Sequence, residues 1–157
     1  MGAGSCMTAW PRESRPSEWA TQFVALRFAS RHAGCDCEVF GSGSGVQIDE
    51  RTVYAPDGAI TCGPKQLDDA ILLMNLIVVV EALSPSTAAI DHGRKLSGYF
   101  SLPSVEHYLI LDPDRRVVIH HKRGASDAIE TRVLSEGSVK LDPPGFEVAV
   151  EALFPPP

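Results

Sequence analysis

Glu81 closes an unbroken apolar run, Leu76-Ile77-Val78-Val79-Val80. A carboxylate at the end of such a run must be satisfied by a metal ion, a lysine or a set of hydrogen bonds, because an unpaired buried charge is strongly disfavoured. The plainer alternative is that Glu81 marks the solvent end of a strand and pairs with a surface arginine. Asp57 stands between Pro56 and Gly58, at the junction of two short strand-like segments. Asp-Gly is an ordinary turn pair, but a hairpin carrying Asp57 beside the strand of Glu81 would bring both carboxylates to one edge. Two carboxylates plus water is how proteins hold Mg²⁺. Lys95 follows in the next helical segment, four residues after Asp91, and Thr87 and Tyr99 extend the same helical face. Asp91 and Lys95 read either as an exposed helix ion pair or as groups folded over the carboxylates.

The elements that must position these groups are legible in outline. Ser17 is a candidate N-cap and Gly34 a candidate C′ residue for a helix over about Glu18–Ala33. Trp19, Phe23 and Leu26 form its apolar face, widened by Ala20, Val24 and Phe28. Strand candidates are 35–40, 46–48, 52–54 and 59–62, and the β-branched run 76–83 reads as a central strand buried on both faces. A second helix is expected over 88–100, ended by Leu102-Pro103. Strands at 106–111 and 116–121 are joined by the turn Asp112-Pro113-Asp114-Arg115, with weaker candidates at 131–134, 138–141 and 146–149. The order predicts an α/β (mixed α+β) fold, a mixed central sheet flanked by helices. Residues 1–16 read as a flexible tail, 17–154 as one domain and 155–157 as an unstructured end.

Composition narrows the function classes. The chain of 157 residues carries a net charge of −6, which argues against a broad nonspecific grip on nucleic acid. Arg115-Arg116 and Lys122-Arg123 are local basic pairs that read as solvated hairpin positions or as phosphate contacts. No apolar stretch reaches the roughly 20 residues of a membrane span, and no export signal is visible, so a cytoplasmic protein is expected. Cys6, Cys35, Cys37 and Cys62 match no zinc spacing and read as reduced thiols. Gly41–Gly45 precedes no helix and is not a phosphate loop. Ser84 and Ser86 lack a nucleophile elbow. His107, His120 and His121 read as strand-surface histidines.

Together, Pro56-Asp57, the segment Val79-Val80-Glu81-Ala82-Leu83-Ser84-Pro85-Ser86-Thr87, then Asp91, Lys95 and Tyr99, resemble the Uma2 family, also called DUF820. Ser104–Pro113 is similar to that family's following strand. The resemblance runs from about Trp19 to Phe154 and implies a restriction-endonuclease-like fold of the PD-(D/E)XK nuclease superfamily. It implies a metal site at Asp57 and Glu81, with Mg²⁺ or Mn²⁺ as cofactor and DNA as substrate. The superfamily's lysine two residues after the acid is replaced here by Leu83, and the resemblance assigns that role to Lys95. It gives Asp91 and Glu18, an acid at the start of the first helix, accessory places. A homodimer is implied for an enzyme that cuts both strands. The other reading is a catalytically inactive nucleic-acid-binding or accessory module that keeps the fold.

Overall fold

The computed structural model describes residues 16–83 and 90–157, with side chains described from residue 20 in the first segment and from residue 92 in the second. The assignments to the tail before residue 16, and to Ser84, Ser86 and Thr87, lie outside these residues. The chain runs α1 (Pro16–His32), β1 (Cys37–Phe40), β2 (Val46–Asp49), β3 (Thr52–Tyr54), β4 (Gly58–Cys62), β5 (Leu76–Ala82), α2 (Ile90–Phe100), β6 (His107–Asp112), β7 (Val117–Arg123), β8 (Ile129–Leu134), β9 (Ser138–Leu141) and β10 (Phe146–Ala149). Two 3₁₀ turns, Ala125–Asp127 and Val150–Leu153, complete it.

Six strands form one sheet in the order β1-β4-β5-β6-β7-β8. Only β5 and β6 run parallel, joined by the crossover through α2, and the remaining neighbours are antiparallel. The sheet is therefore mixed, as the alternation of elements predicts. Val78 and Val80 face one core with Leu109, Leu111 and Val118, closed by Leu26 of α1 and by the β9–β10 hairpin. Val79 faces a second core with Tyr99, Phe100, Tyr108 and Ile110 under α2. Burial on both faces explains why β5 is apolar at successive positions. No helix among the described residues is long and apolar enough to cross a membrane.

Helix α1 ends as its sequence dictates. Gly34 takes φ +74, the Gly34 N–H donates to Arg31 O and the Cys35 N–H to Ser30 O, a Schellman closure. Its start differs: Pro16 opens the helix, so Ser17 lies inside it rather than capping it. Its buried face differs too. Gln22, Leu26 and Ser30 are inward, whereas Val24 and Phe28 are 61% and 70% exposed. Two polar residues within the buried stripe rotated the true face away from the apolar one.

Several assignments made from sequence are corrected. Cys37 and Cys62 are register partners across β1 and β4, with Cα atoms 4.2 Å apart, and form a disulfide, leaving Cys35 free. Residues 25 apart in the chain become neighbours only once the strand pairing is known. Arg123 is not a solvated hairpin residue, since its guanidinium donates to the carbonyls of Phe100, Leu102 and Val105 and ties off the end of α2. Arg116 likewise donates to Pro155 O.

His107 and His120 are not surface residues. They are 0% and 5% exposed, on adjacent strands, with His107 Nδ1 2.9 Å from His120 Nε2. Burial first, then neighbouring charges, hold both near pH 4 rather than 6.5, so the folded protein keeps them neutral. The unfolded chain takes up these protons as pH falls through 6.5, and the folded chain does so only near 4. Their contribution is thus complete above pH 6.5 and drains away between 6.5 and 4. With allowance for the water that reaches the pair, urea denaturation should show a loss of roughly 2–4 kcal/mol across that window.

The α2 face is fitted to the β2–β3 hairpin without slack. A Cβ on Gly98 would stand 2.6 Å from Tyr54 Cε2, and Tyr54 packs edge-on against Tyr99. Gly98→Ala should destabilise by about 1–3 kcal/mol, by displacing Tyr54, despite the better helix propensity of alanine. A denaturant midpoint equal to or above that of the parent would contradict this packing.

Candidate metal site at the β4–β5 edge

The antiparallel register pairs Gly58 with Val80. One step further, Asp57 stands opposite Glu81. Glu81 has the parity of Val79 and so lies on the side covered by α2, while Asp57, just before β4, also lines a cleft with Gln22 and Leu26 of α1. Glu81 is 3% exposed. Its Oε2 accepts from Lys95 Nζ at 2.9 Å and its Oε1 from Tyr99 Oη at 2.8 Å. Lys95 and Tyr99 are four residues apart on α2, so one helical face supplies both donors. The Asp57 Oδ2 accepts from the Ala82 N–H at 3.0 Å, which locks its side chain to the strand of Glu81.

Burial pushes the Asp57 carboxyl up to about 6, and the Glu81 charge adds to the rise, while the Ala82 N–H and Lys95 pull it down. Burial, Glu81 and neighbouring rings push the Tyr99 phenol far above its ordinary range, so it donates throughout the physiological range. The site combines one carboxylate held by an ammonium and a phenol with a second close to neutral pH.

The structure brings Asp57, Glu81 and Lys95 together. The side chains of Asp91, in the first turn of α2, and of Glu18, in α1, lie outside those described. Leu83, two residues beyond Glu81, packs in the α2-side core and lines a recess with Leu96 and Ile119, so an apolar contact stands where the sequence resemblance would place a lysine.

Two participants were hidden at the level of sequence. Tyr99 was visible as part of the lysine face but not as a direct Glu81 partner. Gln22 was missed. It lines a cleft of about 380 Å³ with Phe40, Asp57, Gly58 and Val80, is 4% exposed, and its Oε1 has no hydrogen-bond partner among the described residues. The available signal was a polar residue four before Leu26 on the inward stripe. A buried acceptor without a donor is costly unless a cation or water satisfies it. Among the described residues no three His, Cys, Asp or Glu side chains cluster as metal ligands. Asp57 and Glu81 remain, an all-oxygen pair whose chemistry fits Mg²⁺ with much of its hydration retained, and Gln22 lines the same cleft as Asp57.

The sequence matches the Uma2 family, described as "Putative restriction endonuclease", over residues 7–153. The chain belongs to the Uma2 family. An uncharacterized protein of Synechocystis sp. is 29% identical over 133 residues, spanning 83% of this chain and 70% of that protein. A crystal structure described as a "putative nuclease belonging to DUF820" from Anabaena variabilis superposes with a TM-score of 0.66. It is 13% identical and covers 87% of this Uma2 chain and 77% of its own. At that identity the likeness establishes the shared fold, a mixed central sheet with flanking helices.

Proposed function

We propose that this Uma2 protein is a metal-dependent nuclease that hydrolyses phosphodiester bonds of DNA, with Asp57 and Glu81 holding Mg²⁺ or Mn²⁺. The observation that carries this reading is the convergence of two opposed carboxylates with a lysine bonded to one of them. Gln22 is the α1 group best placed to add an oxygen ligand on the Asp57 side. Accessory roles for Glu18 and Asp91 rest on the family pattern.

Bound there, the cation supplies Lewis acidity toward the scissile phosphate. The chain's own residues do the rest. The Ala82 N–H fixes Asp57, and Tyr99 fixes Glu81, so neither carboxylate reorganises when a cation arrives. Lys95, bonded to Glu81 at 2.9 Å, stabilises the negative charge that builds on the phosphate oxygens. A base role for Lys95 would need a depressed pKa, whereas charge stabilisation needs none.

Cleavage of plasmid or single-stranded DNA with Mg²⁺ or Mn²⁺ tests the reading. Activity lost in Asp57→Ala, Glu81→Ala and Lys95→Ala supports it, and robust cleavage by the Glu81 variant sinks it. One observation favours the second reading, an inactive module: Lys95 and Tyr99 occupy both oxygens of Glu81. Each carboxylate oxygen retains a further lone pair, so ligation stays open. A homodimer would present two sites to a duplex. The outer strand β8, exposed along Ile129–Val133, offers the edge for it, and sedimentation velocity tests this.

A further inference from the structure

A second polar recess lies on the opposite face of the sheet. His120 alternates with Ile119 along β7 and shares the face of Val118, the side away from α2. The recess has a volume of about 320 Å³ and is walled by Lys122, Glu130, Arg132, Lys140 and Asp142 around His120. The ion pairs among the described residues are Lys95–Glu81 and Arg115–Asp112, and neither involves Lys122, Arg132 or Lys140. Three cations from β7, β8 and β9 thus line the recess without an ion pair to its two carboxylates, Glu130 and Asp142, although Glu130 is the register partner of Lys122.

The floor has a fixed chemistry. His107 Nε2 lies 2.7 Å from Pro143 O, and a carbonyl only accepts, so Nε2 carries the proton. Neutral His107 therefore accepts at Nδ1, and His120 donates to it from Nε2. That leaves Nδ1 of His120, a residue lining the recess, as a lone pair among cations.

We propose that this recess binds a phosphate group, with Lys122, Arg132 and Lys140 supplying positive charge and His120 Nδ1 sharing one proton with a phosphate oxygen. Arginine and lysine suit phosphate oxygens by charge and geometry, and the shared proton comes from solvent or from the monoester itself. The groups facing His120 are His107 on β6, Lys122 on β7, Glu130 and Arg132 on β8, and Lys140 and Asp142 on β9 and its turn, with His121 adjacent on the other face of β7. Burial first, and then the charges of His107, Lys122, Arg132 and His121, disfavour a proton on His120. An anion in the recess offsets the surrounding positive charge, so anion and proton binding are coupled. The proposal does not depend on the Asp57–Glu81 site.

Calorimetry with sodium sulfate is the test, because sulfate carries no proton near neutral pH and any uptake belongs to the protein. Saturable binding is expected, with up to one proton taken up per sulfate and affinity falling about tenfold per pH unit between 6 and 8. Nitrogen-15 spectra should show His120 Nδ1 becoming protonated. The exposed Arg132→Glu and Lys140→Glu variants should keep the fold and lose binding. His120→Asn should bind weakly and without pH dependence, and if it fails to fold the two surface variants and the pH profile decide. Competition by a 5′-mononucleotide alone marks a strand end as the source, and equal competition by an oligonucleotide lacking terminal phosphates marks the backbone. Asp57→Asn should bind sulfate as the parent does, which separates this claim from the nuclease reading. Absence of saturable binding, or pH-independent binding untouched by Arg132→Glu, overturns the proposal.

Discussion

Glu81→Ala should lose about 3–5 kcal/mol of stability together with all DNA cleavage, whereas the triple variant Glu81→Leu, Lys95→Met, Tyr99→Phe should regain most of that stability and remain inactive. Removing one partner of a buried pair leaves the group bonded to it unsatisfied. Tyr99 is fully buried, so its hydroxyl would lose the Glu81 acceptor, and Lys95, with a side chain 20% exposed, would lose its 2.9 Å bond to Glu81. Replacing all three polar groups by apolar ones of similar volume removes the desolvation cost along with the interactions. Denaturant unfolding beside a cleavage assay checks this. A triple variant as unstable as the single one would mean that Glu81 supports the fold by something other than this cluster.

The second large effect has the opposite sign. Asp57→Asn should stabilise the metal-free protein by about 1–3 kcal/mol at pH 8 while abolishing activity. The Asp57 carboxyl rises from 3.8 to about 6 on folding, so its ionised form is disfavoured in the folded state. That cost is fully present above pH 6 and disappears as pH falls below 3.8. Asparagine keeps an oxygen for the Ala82 N–H and carries no charge. The stabilisation should therefore be seen at pH 8 and be absent at pH 3.5, where both side chains are neutral. Over the same acid range the buried histidine pair loses stability. Two histidines lowered to about 4 outweigh one carboxylate raised to about 6, and the parent should weaken on acidification. An unchanged midpoint for Asp57→Asn at pH 8 would show that Asp57 is well solvated. Loss of activity with a gain of stability is the mark of a residue kept for function.

How much of this was legible depends on whether information was local. The β5 run announces its strand because burial on both faces leaves no room for alternation. Gly34 announces the end of α1 because few other residues take its backbone conformation without strain. The opposition of Asp57 to Glu81 was only a possibility until the β4–β5 register fixed it, since nothing in Pro56-Asp57-Gly58 specifies a partner strand. The disulfide was misread for the same reason. The histidines were misread because alternation identifies a strand but not how many layers cover it: the β9–β10 hairpin closes over His107 through Pro143 O. Gln22 escaped because a glutamine on a helix reads as surface, and only the rotated buried stripe of α1 reveals it. Lys95 was legible through the family pattern, while its 2.9 Å bond to Glu81 required the angle at which α2 crosses the strand end.

Whether Asp57 and Glu81 together form a cation site is decided by titration calorimetry with Mn²⁺ on the parent protein, Glu81→Gln and Asp57→Asn. Saturable binding is expected for the parent, lost or weakened at least tenfold in each variant while circular dichroism shows the fold intact. Equal Mn²⁺ binding by all three proteins, or none by the parent, would contradict it.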